Sequence, residues 1–271
     1  MRPISIKPRS RFKLTTLFMA LAFITLGSCS SDDDGPIGSD PKKPNNTFTL
    51  EFEPYFNDNK LSFNEMKWVT QALDTLNFVR LSFLMTHFEV GTASGEWVSL
   101  PDTVAFISPG IGRKTLQFDH VLPEGDFTKL RFYIGLDSAT NHGDPSQYRL
   151  THPLNPIVNQ MHWDWAGGYI FMVTEGYFMN QGNANALFTY HMANEEYAKT
   201  IEIQSPEAFN LRKNKGLEIK INMAAYFNTP HAFSIKEEGN TSHSISAEDR
   251  IIIEKLRANL ANVFSVHNIN K

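Results

Sequence analysis

The feature that most constrains the fold of this chain is an alternation of apolar and polar residues with a period of two. At the start of the body, Phe48, Leu50 and Phe52 alternate with polar residues, and the same alternation returns over residues 127–136. Successive side chains of a β-strand point to opposite faces, so this period predicts strands with one buried face. The sequence therefore predicts a mainly β fold.

Turn residues such as Pro109-Gly110 separate these strand segments, whereas a helical period occurs only near the C-terminus. There, Ser246 and Asp249 have the spacing of a capping box, and apolar residues three or four apart continue to Val263. We predict a mostly β protein, an antiparallel β-sandwich-like domain with long loops and one C-terminal helix. The predicted strands are 48–53, 76–90, 103–107, 115–121, 127–136, 168–174, 187–192, 199–204 and 217–223.

Residues 1–28 are predicted to be a lipoprotein signal peptide. A basic stretch without acidic residues precedes the apolar residues 14–26, which are too few to span a bilayer comfortably. They end in Leu-Gly-Ser-Cys, which is typical of a lipobox, and Cys29 is the only cysteine of the chain. Since a lone cysteine forms no intramolecular disulfide, we predict that Cys29 carries a lipid that anchors the protein to a membrane.

Residues 29–46 are predicted to be an acidic flexible tether, because they are rich in Ser, Asp, Gly, Pro and Asn. The acidic run directly after Cys29 resembles the export signal of Bacteroidetes lipoproteins, which implies an outer-membrane or cell-surface location. Removal of residues 1–28 leaves 20 basic against 29 acidic residues, a net charge of −9. This charge argues against nucleic-acid binding, which needs a basic face. Residues 47–271 are long enough for one β domain.

Histidines and tryptophans are concentrated in residues 141–169, which contain three of the nine histidines and two of the four tryptophans. Imidazole is the commonest side-chain metal ligand, and a loop of this length inside a domain is usually functional. Imidazoles with nearby methionines favour copper, while zinc is the alternative. The candidate metal ligands are His142, His162, His87 and His191, of which His87 is expected on the same strand face as Met85.

The chain lacks the GxSxG, P-loop, HExxH and CxxC motifs, and no residue is recognisable as a positioned general base. We therefore predict a binding protein rather than an enzyme. One alternative is a metal-free surface lipoprotein that binds glycans or peptides on an aromatic platform formed by Trp163, Trp165 and Tyr169. His120, His231, His243 and His267 have ordinary sequence surroundings, and His152, directly before Pro153, is intermediate.

A series of short motifs occurs in residues 135–145, 153–155, 161–171 and 190–191. Their order and spacing resemble the MbnP family of copper-binding proteins, which is similar to the methanotroph surface proteins MopE and CorA. The resemblance implies a β-rich exported protein that binds copper through histidines, with a tryptophan oxidised to kynurenine. It also implies a partner, a di-haem peroxidase-like protein of the MbnH type, that performs the oxidation.

Within this resemblance, His142 and His191 fall on motif positions of the family. Trp163 and Trp165 match its paired tryptophans, and either is a candidate for oxidation. His162 and His87 replace other residues of the family, so the resemblance does not assign them as ligands. The function that follows is copper handling or acquisition at the cell envelope.

Overall fold

Two β-sheets form the body of the protein in the computed structural model, which describes residues 47–119, 121–164, 167–180 and 185–271. The predicted signal peptide, tether, Cys29 and Trp165 lie outside the described residues. The strands are β1 (Phe48–Phe56), β2 (Asn59–Lys60), β3 (Trp68–Val69), β4 (Thr75–Gly91), β5 (Trp97–Ser99), β6 (Ala105–Ile107), β7 (Thr115–Phe118), β8 (Phe127–Ile134), β9 (His162–Trp163), β10 (Gly168–Met179), β11 (Asn185–Ala193), β12 (Lys199–Phe209), β13 (Gly216–Asn222), β14 (Thr241–Ser242) and β15 (Phe264–Asn270). The helices are α1 (Ser138–Asn141), α2 (Pro156–Asn159), α3 (Met223–Asn228), α4 (Ile235–Glu238) and α5 (Ala247–Asn259).

The first sheet has the strand order β15-β13-β1-β2, with β7 also paired to β1. The second sheet has the order β12-β8-β4-β10-β11-β14, and the short strands β3, β5, β6 and β9 pair with its central strands. Most pairs are antiparallel, but β1 pairs with β13 and β11 pairs with β14 in parallel. The predicted fold class is confirmed. The two parallel pairs join strands that are far apart in the chain, because parallel neighbours need a long connection between them.

Phenylalanine rings fill the space between the two sheets. The ring of Phe132 in β8 lies 5.9 Å from that of Phe52 in β1, and the ring of Phe83 in β4 lies 5.6 Å from that of Phe264 in β15. Both contacts are edge-to-face, the geometry that aromatic pairs prefer. The apolar face predicted for β1 is fully buried, as the period of two required.

The predicted capping box begins α5, because the Ser246 side chain accepts from the backbone of Asp249 and the Asp249 carboxylate accepts from that of Ser246. The helix ends at Asn259, and the chain continues into β15, a strand that the sequence pattern did not reveal. Among the described residues, no helix combines the length and apolar character needed to cross a membrane.

The predicted long loop after β8 is ordered by side-chain caps rather than by long elements. Asp137 accepts from the backbone N–H of Thr140 at the start of α1, and Asn155 accepts from that of Ile157 at the start of α2. Such caps satisfy N–H groups that a short helix leaves unpaired. The capped segment leads into β9, which carries Trp163 and pairs with β10 of the second sheet.

A β-bulge separates His87 from the buried face of β4. The register against β8 shifts between Thr86 and Glu89, so two residues of β4 lie opposite one residue of β8. His87 takes a φ of 51° and is exposed, whereas Met85 is fully buried. The expectation that these two side chains share a face is therefore wrong, because the bulge changes the alternation.

Gly176 marks a place where β10 and β4 approach closely. A Cβ atom there would lie 2.0 Å from the carbonyl oxygen of Asn77 and 2.8 Å from the Phe188 ring. We predict that Gly176→Ala lowers the free energy of unfolding by about 2–3 kcal/mol, since the backbone of β4 must move. Denaturant unfolding of the protein without its signal peptide measures this. The control Gly110→Ala meets only the Phe63 ring, at 3.3 Å, and should change stability by less than about 1 kcal/mol.

Candidate functional site

Four polar side chains form a row across neighbouring strands of the second sheet. Arg80 in β4 lies opposite Glu175 in β10, and His191 follows in β11. The parallel register of β11 and β14 pairs Tyr190 with Ser242, so the next residues, His191 and His243, are neighbours. Their ring centroids are 5.1 Å apart. The row lies on the face turned away from the first sheet, because Arg80 alternates with the core residues of β4.

The hydrogen bonds of His191 leave one ring nitrogen ready to bind a ligand. Its Nε2 lies 2.6 Å from Oε1 of Glu175, while its Nδ1 is buried and has no hydrogen-bond partner among the described residues. A carboxylate only accepts, so Nε2 carries a proton, and in the neutral form of the ring Nδ1 carries the lone pair. Histidines that bind metals commonly donate their other nitrogen to a carboxylate in this way.

Arg80 supports the carboxylate that holds His191. One Nη of Arg80 donates to the carbonyl oxygens of Asn159 and Gln160 at the end of α2, at 3.1 and 3.0 Å, and the other lies 3.9 Å from Glu175. The hydrogen bond from His191 and the positive charge of Arg80 both lower the pKa of the Glu175 carboxyl. Glu175 is therefore ionised at neutral pH and remains an acceptor for His191.

Trp163 in β9 covers the two imidazoles. Its ring centroid lies 5.9 Å from that of His191 and 6.1 Å from that of His243. Burial lowers the pKa of His243, and the neighbouring His191 adds to this effect, so His243 is neutral at neutral pH. The cluster thus joins two imidazoles and an indole. Within the described ranges, no three His, Cys, Asp or Glu side chains form a group that could hold a metal ion.

Comparison with known proteins identifies the family. A family model named MbnP matches residues 45–245, which include Trp163, His191 and His243. The chain belongs to the MbnP family. The structure is similar to that of MbnP from Methylosinus trichosporium, with a TM-score of 0.50 over 73% of this chain and 83% of that chain. The two sequences are 13% identical, so this likeness concerns the fold. No curated protein matches the chain.

The sequence analysis proposed four histidines as metal ligands. The structure places only one of these four, His191, in the cluster with His243 and Trp163. His142 has both ring nitrogens occupied, with Nδ1 2.8 Å from the carbonyl oxygen of Gly167 and Nε2 2.9 Å from Oε1 of Glu195. These contacts and those of His191 have no described residue in common. Metal binding by His142 stays a prediction.

His162 and His87 lie in other surroundings. His162 contacts the Asp164 carboxylate at 3.1 Å and packs edge-on against Tyr169. The Nδ1 of His87 lies 2.8 Å from the hydroxyl of Thr86, and His87 lines a surface cavity with Arg131. Metal binding by these two histidines also stays a prediction.

Sequence reasoning missed His243, Glu175 and Arg80, which hold or face His191. Nothing near His243 in the sequence indicates a site, because it meets His191 only through the parallel pairing of β11 with β14. Glu175 offered a weak signal. Val173 lies opposite His191, and Glu175 is two residues further along β10, so its side chain is on the same face of the sheet as His191. A charged residue on a strand with buried neighbours is the kind of signal that could have found it.

The tautomer of His191 is directly testable without metal. At mildly alkaline pH, we expect ¹⁵N imidazole spectra to show His191 with a protonated Nε2 and an unprotonated Nδ1, because Glu175 accepts from Nε2. The variant Glu175→Leu removes the acceptor and should lower the fraction of the Nε2-protonated tautomer towards that of a free neutral imidazole. His152 is the matched control: its Nδ1 accepts from the backbone N–H of Leu154, so it should keep the same tautomer in both proteins. An Nδ1-protonated His191 in the unaltered protein would contradict the geometry.

Proposed function

We propose that this MbnP-family protein binds copper through His191 and His243 beside Trp163, for copper handling or acquisition at the cell envelope. The observation that carries the proposal is the buried, unpaired Nδ1 of His191, in a cluster with a second imidazole, that of His243. An unpaired buried polar atom is unfavourable unless a ligand satisfies it. A metal ion is a ligand that imidazole lone pairs bind well.

The donor set fits copper. Imidazole nitrogens suit copper and zinc, whereas magnesium and calcium prefer oxygen ligands. Copper leads the affinity order of divalent metals at nitrogen sites, and membership of the MbnP family favours it further. Copper bound by His191 and His243 would supply a redox-active centre next to the indole of Trp163.

Trp163 is the tryptophan that we propose to be oxidised to kynurenine. Its ring contacts both imidazoles, and kynurenine has an aromatic amine and a carbonyl group that could add a third ligand. Such a ligand would complete a site in which only two imidazoles come together. A di-haem peroxidase-like protein is the proposed oxidising partner. Trp165 remains the other candidate, outside the described residues.

The function proposed is binding rather than turnover. The cluster contains an acceptor carboxylate that is already occupied by His191 and Arg80, so it offers no spare base for general acid–base chemistry. A lipid on Cys29 would hold the domain at the outer membrane or cell surface through the acidic tether.

The alternative of a metal-free glycan- or peptide-binding platform is weakened by the structure. Tyr169 is 1% exposed, and its hydroxyl donates to the carbonyl oxygen of Leu154. A buried ring cannot stack on a sugar or peptide. Trp163 is itself partly buried and packs against the core, so the proposed platform loses Tyr169 and keeps only part of the Trp163 ring among the described residues.

Copper binding gives the main test. Protein purified from its native host should contain about one copper per chain, and His191→Ala or His243→Ala should each weaken Cu(I) binding at least about 100-fold, because each removes a direct ligand. Competition against a chromophoric Cu(I) chelator measures the affinity. The matched control His267→Ala alters a histidine that packs on Tyr55, in the first sheet, and should bind copper like the unaltered protein.

Two results would contradict the proposal. One is host-purified protein without copper and with an unmodified peptide around Trp163 by mass spectrometry. The other is copper binding that survives both histidine substitutions, which would place the metal elsewhere in the chain.

Anchoring is tested separately from metal binding. Metabolic labelling with a fatty acid should mark the unaltered protein and not Cys29→Ala, because the variant lacks the thiol that would carry the lipid. Membrane fractionation does not separate the two, since an unprocessed variant keeps the apolar residues 14–26. Fatty-acid label that persists in Cys29→Ala would contradict a lipid anchor at Cys29.

A further inference from the structure

We propose that Asn141 and His142 act together as a clamp that positions Trp163 against the imidazole pair. The clamp joins the connection between β9 and β10 to Glu195, which follows β11. This inference rests on the proposed copper site, and it gives His142 a positioning role instead of a role as a ligand.

Asn141 provides the buried half of the clamp. Its side chain belongs to a residue that is 2% exposed, and its Oδ1 accepts from the backbone N–H of Tyr169 at 2.7 Å. Its Nδ2 donates to Oε1 of Glu195 at 3.1 Å. A Cβ atom on Gly168 would lie 3.3 Å from Oδ1, so the glycine permits this close approach. One amide thus bonds both to Tyr169 at the start of β10 and to Glu195, two residues after the end of β11.

His142 provides the outer half. Its Nδ1 reaches the carbonyl oxygen of Gly167 at 2.8 Å, and its Nε2 reaches the same Glu195 oxygen at 2.9 Å. Both partners accept hydrogen bonds and neither donates to a ring nitrogen. Both ring nitrogens of His142 therefore face acceptor atoms, in contrast to His191, whose Nδ1 has no partner among the described residues.

The clamp acts on Trp163 through the backbone of Gly167 and Gly168, which it holds in place. The N–H of Gly167 donates to the carbonyl oxygen of Trp163 at 2.8 Å, and Gly168 pairs with Trp163 in the β9–β10 ladder. Glu195 follows β11, the strand of His191. Fixing Gly167 and Tyr169 to Glu195 therefore fixes the indole relative to His191.

An exchange of donor and acceptor tests the clamp with nearly isosteric variants. Asn141→Asp keeps the acceptor for Tyr169 but sets a carboxylate against Glu195. We expect it to weaken Cu(I) affinity about ten-fold at unchanged stoichiometry, within the range for residues that orient a ligand. The double variant Asn141→Asp/Glu195→Gln restores a donor–acceptor pair and should recover most of the affinity. The single Glu195→Gln completes the cycle.

Amide hydrogen exchange of Gly167 gives a second measurement that needs no metal. Exchange should be faster in Asn141→Asp and return towards the original rate in the double variant. The matched control is Asn259→Asp, because Asn259 is also buried. It is the last residue of α5, and its amide donates to the carbonyl oxygens of Tyr226 and His231. This control variant should lower stability while leaving copper affinity and Gly167 exchange unchanged.

The outcomes separate the clamp from the copper site. Unaltered protein that binds no copper would refute the proposed function, and the Gly167 exchange rates alone would then decide the clamp. Unchanged affinity and exchange in Asn141→Asp, or no recovery in the double variant, would overturn the clamp. His142→Ala should keep one copper per chain with weaker affinity. Loss of copper as complete as in His191→Ala would instead make His142 a ligand.

Discussion

The hydrogen bond between Glu175 and Nε2 of His191 determines what the candidate site can do. It fixes the proton on one nitrogen and leaves the buried Nδ1 as a lone pair beside His243. The hydrogen bond from His191 lowers the pKa of the Glu175 carboxyl, the charge of Arg80 adds to this effect, and Arg80 also donates to the end of α2. Arg80 therefore contacts both the carboxylate that orients His191 and the segment that covers the site.

The fold builds this site from elements that are remote in the chain. Three of the four residues in the row come from β4, β10 and β11, and His243 follows β14. The capped segment between β8 and β10 then brings Trp163 over them. A sheet suits this task because opposite residues of paired strands lie close together on one face. The pairing of the strands, rather than any local motif, assembles the row of Arg80, Glu175, His191 and His243.

Much of the fold was predictable because its signals are local. The alternation around Phe52 predicted a buried strand face, and Ser246 with Asp249 predicted the start of α5. The bulge at His87 was not predictable, since one extra residue in β4 depends on its partner β8 and not on the sequence around it. The strand β15 was also missed because it depends on pairing with β13.

The sequence by itself determined the β class and the family. It also indicated that the chemistry would involve histidine and tryptophan, because periodicity and motif order are properties of neighbouring residues. Only the tertiary structure decided which imidazoles meet. His191 lies beside His243 through the register of two parallel strands, while His142 turns both nitrogens to acceptors near Glu195. Register and hydrogen-bond direction arise from packing between distant segments, so no local pattern encodes them.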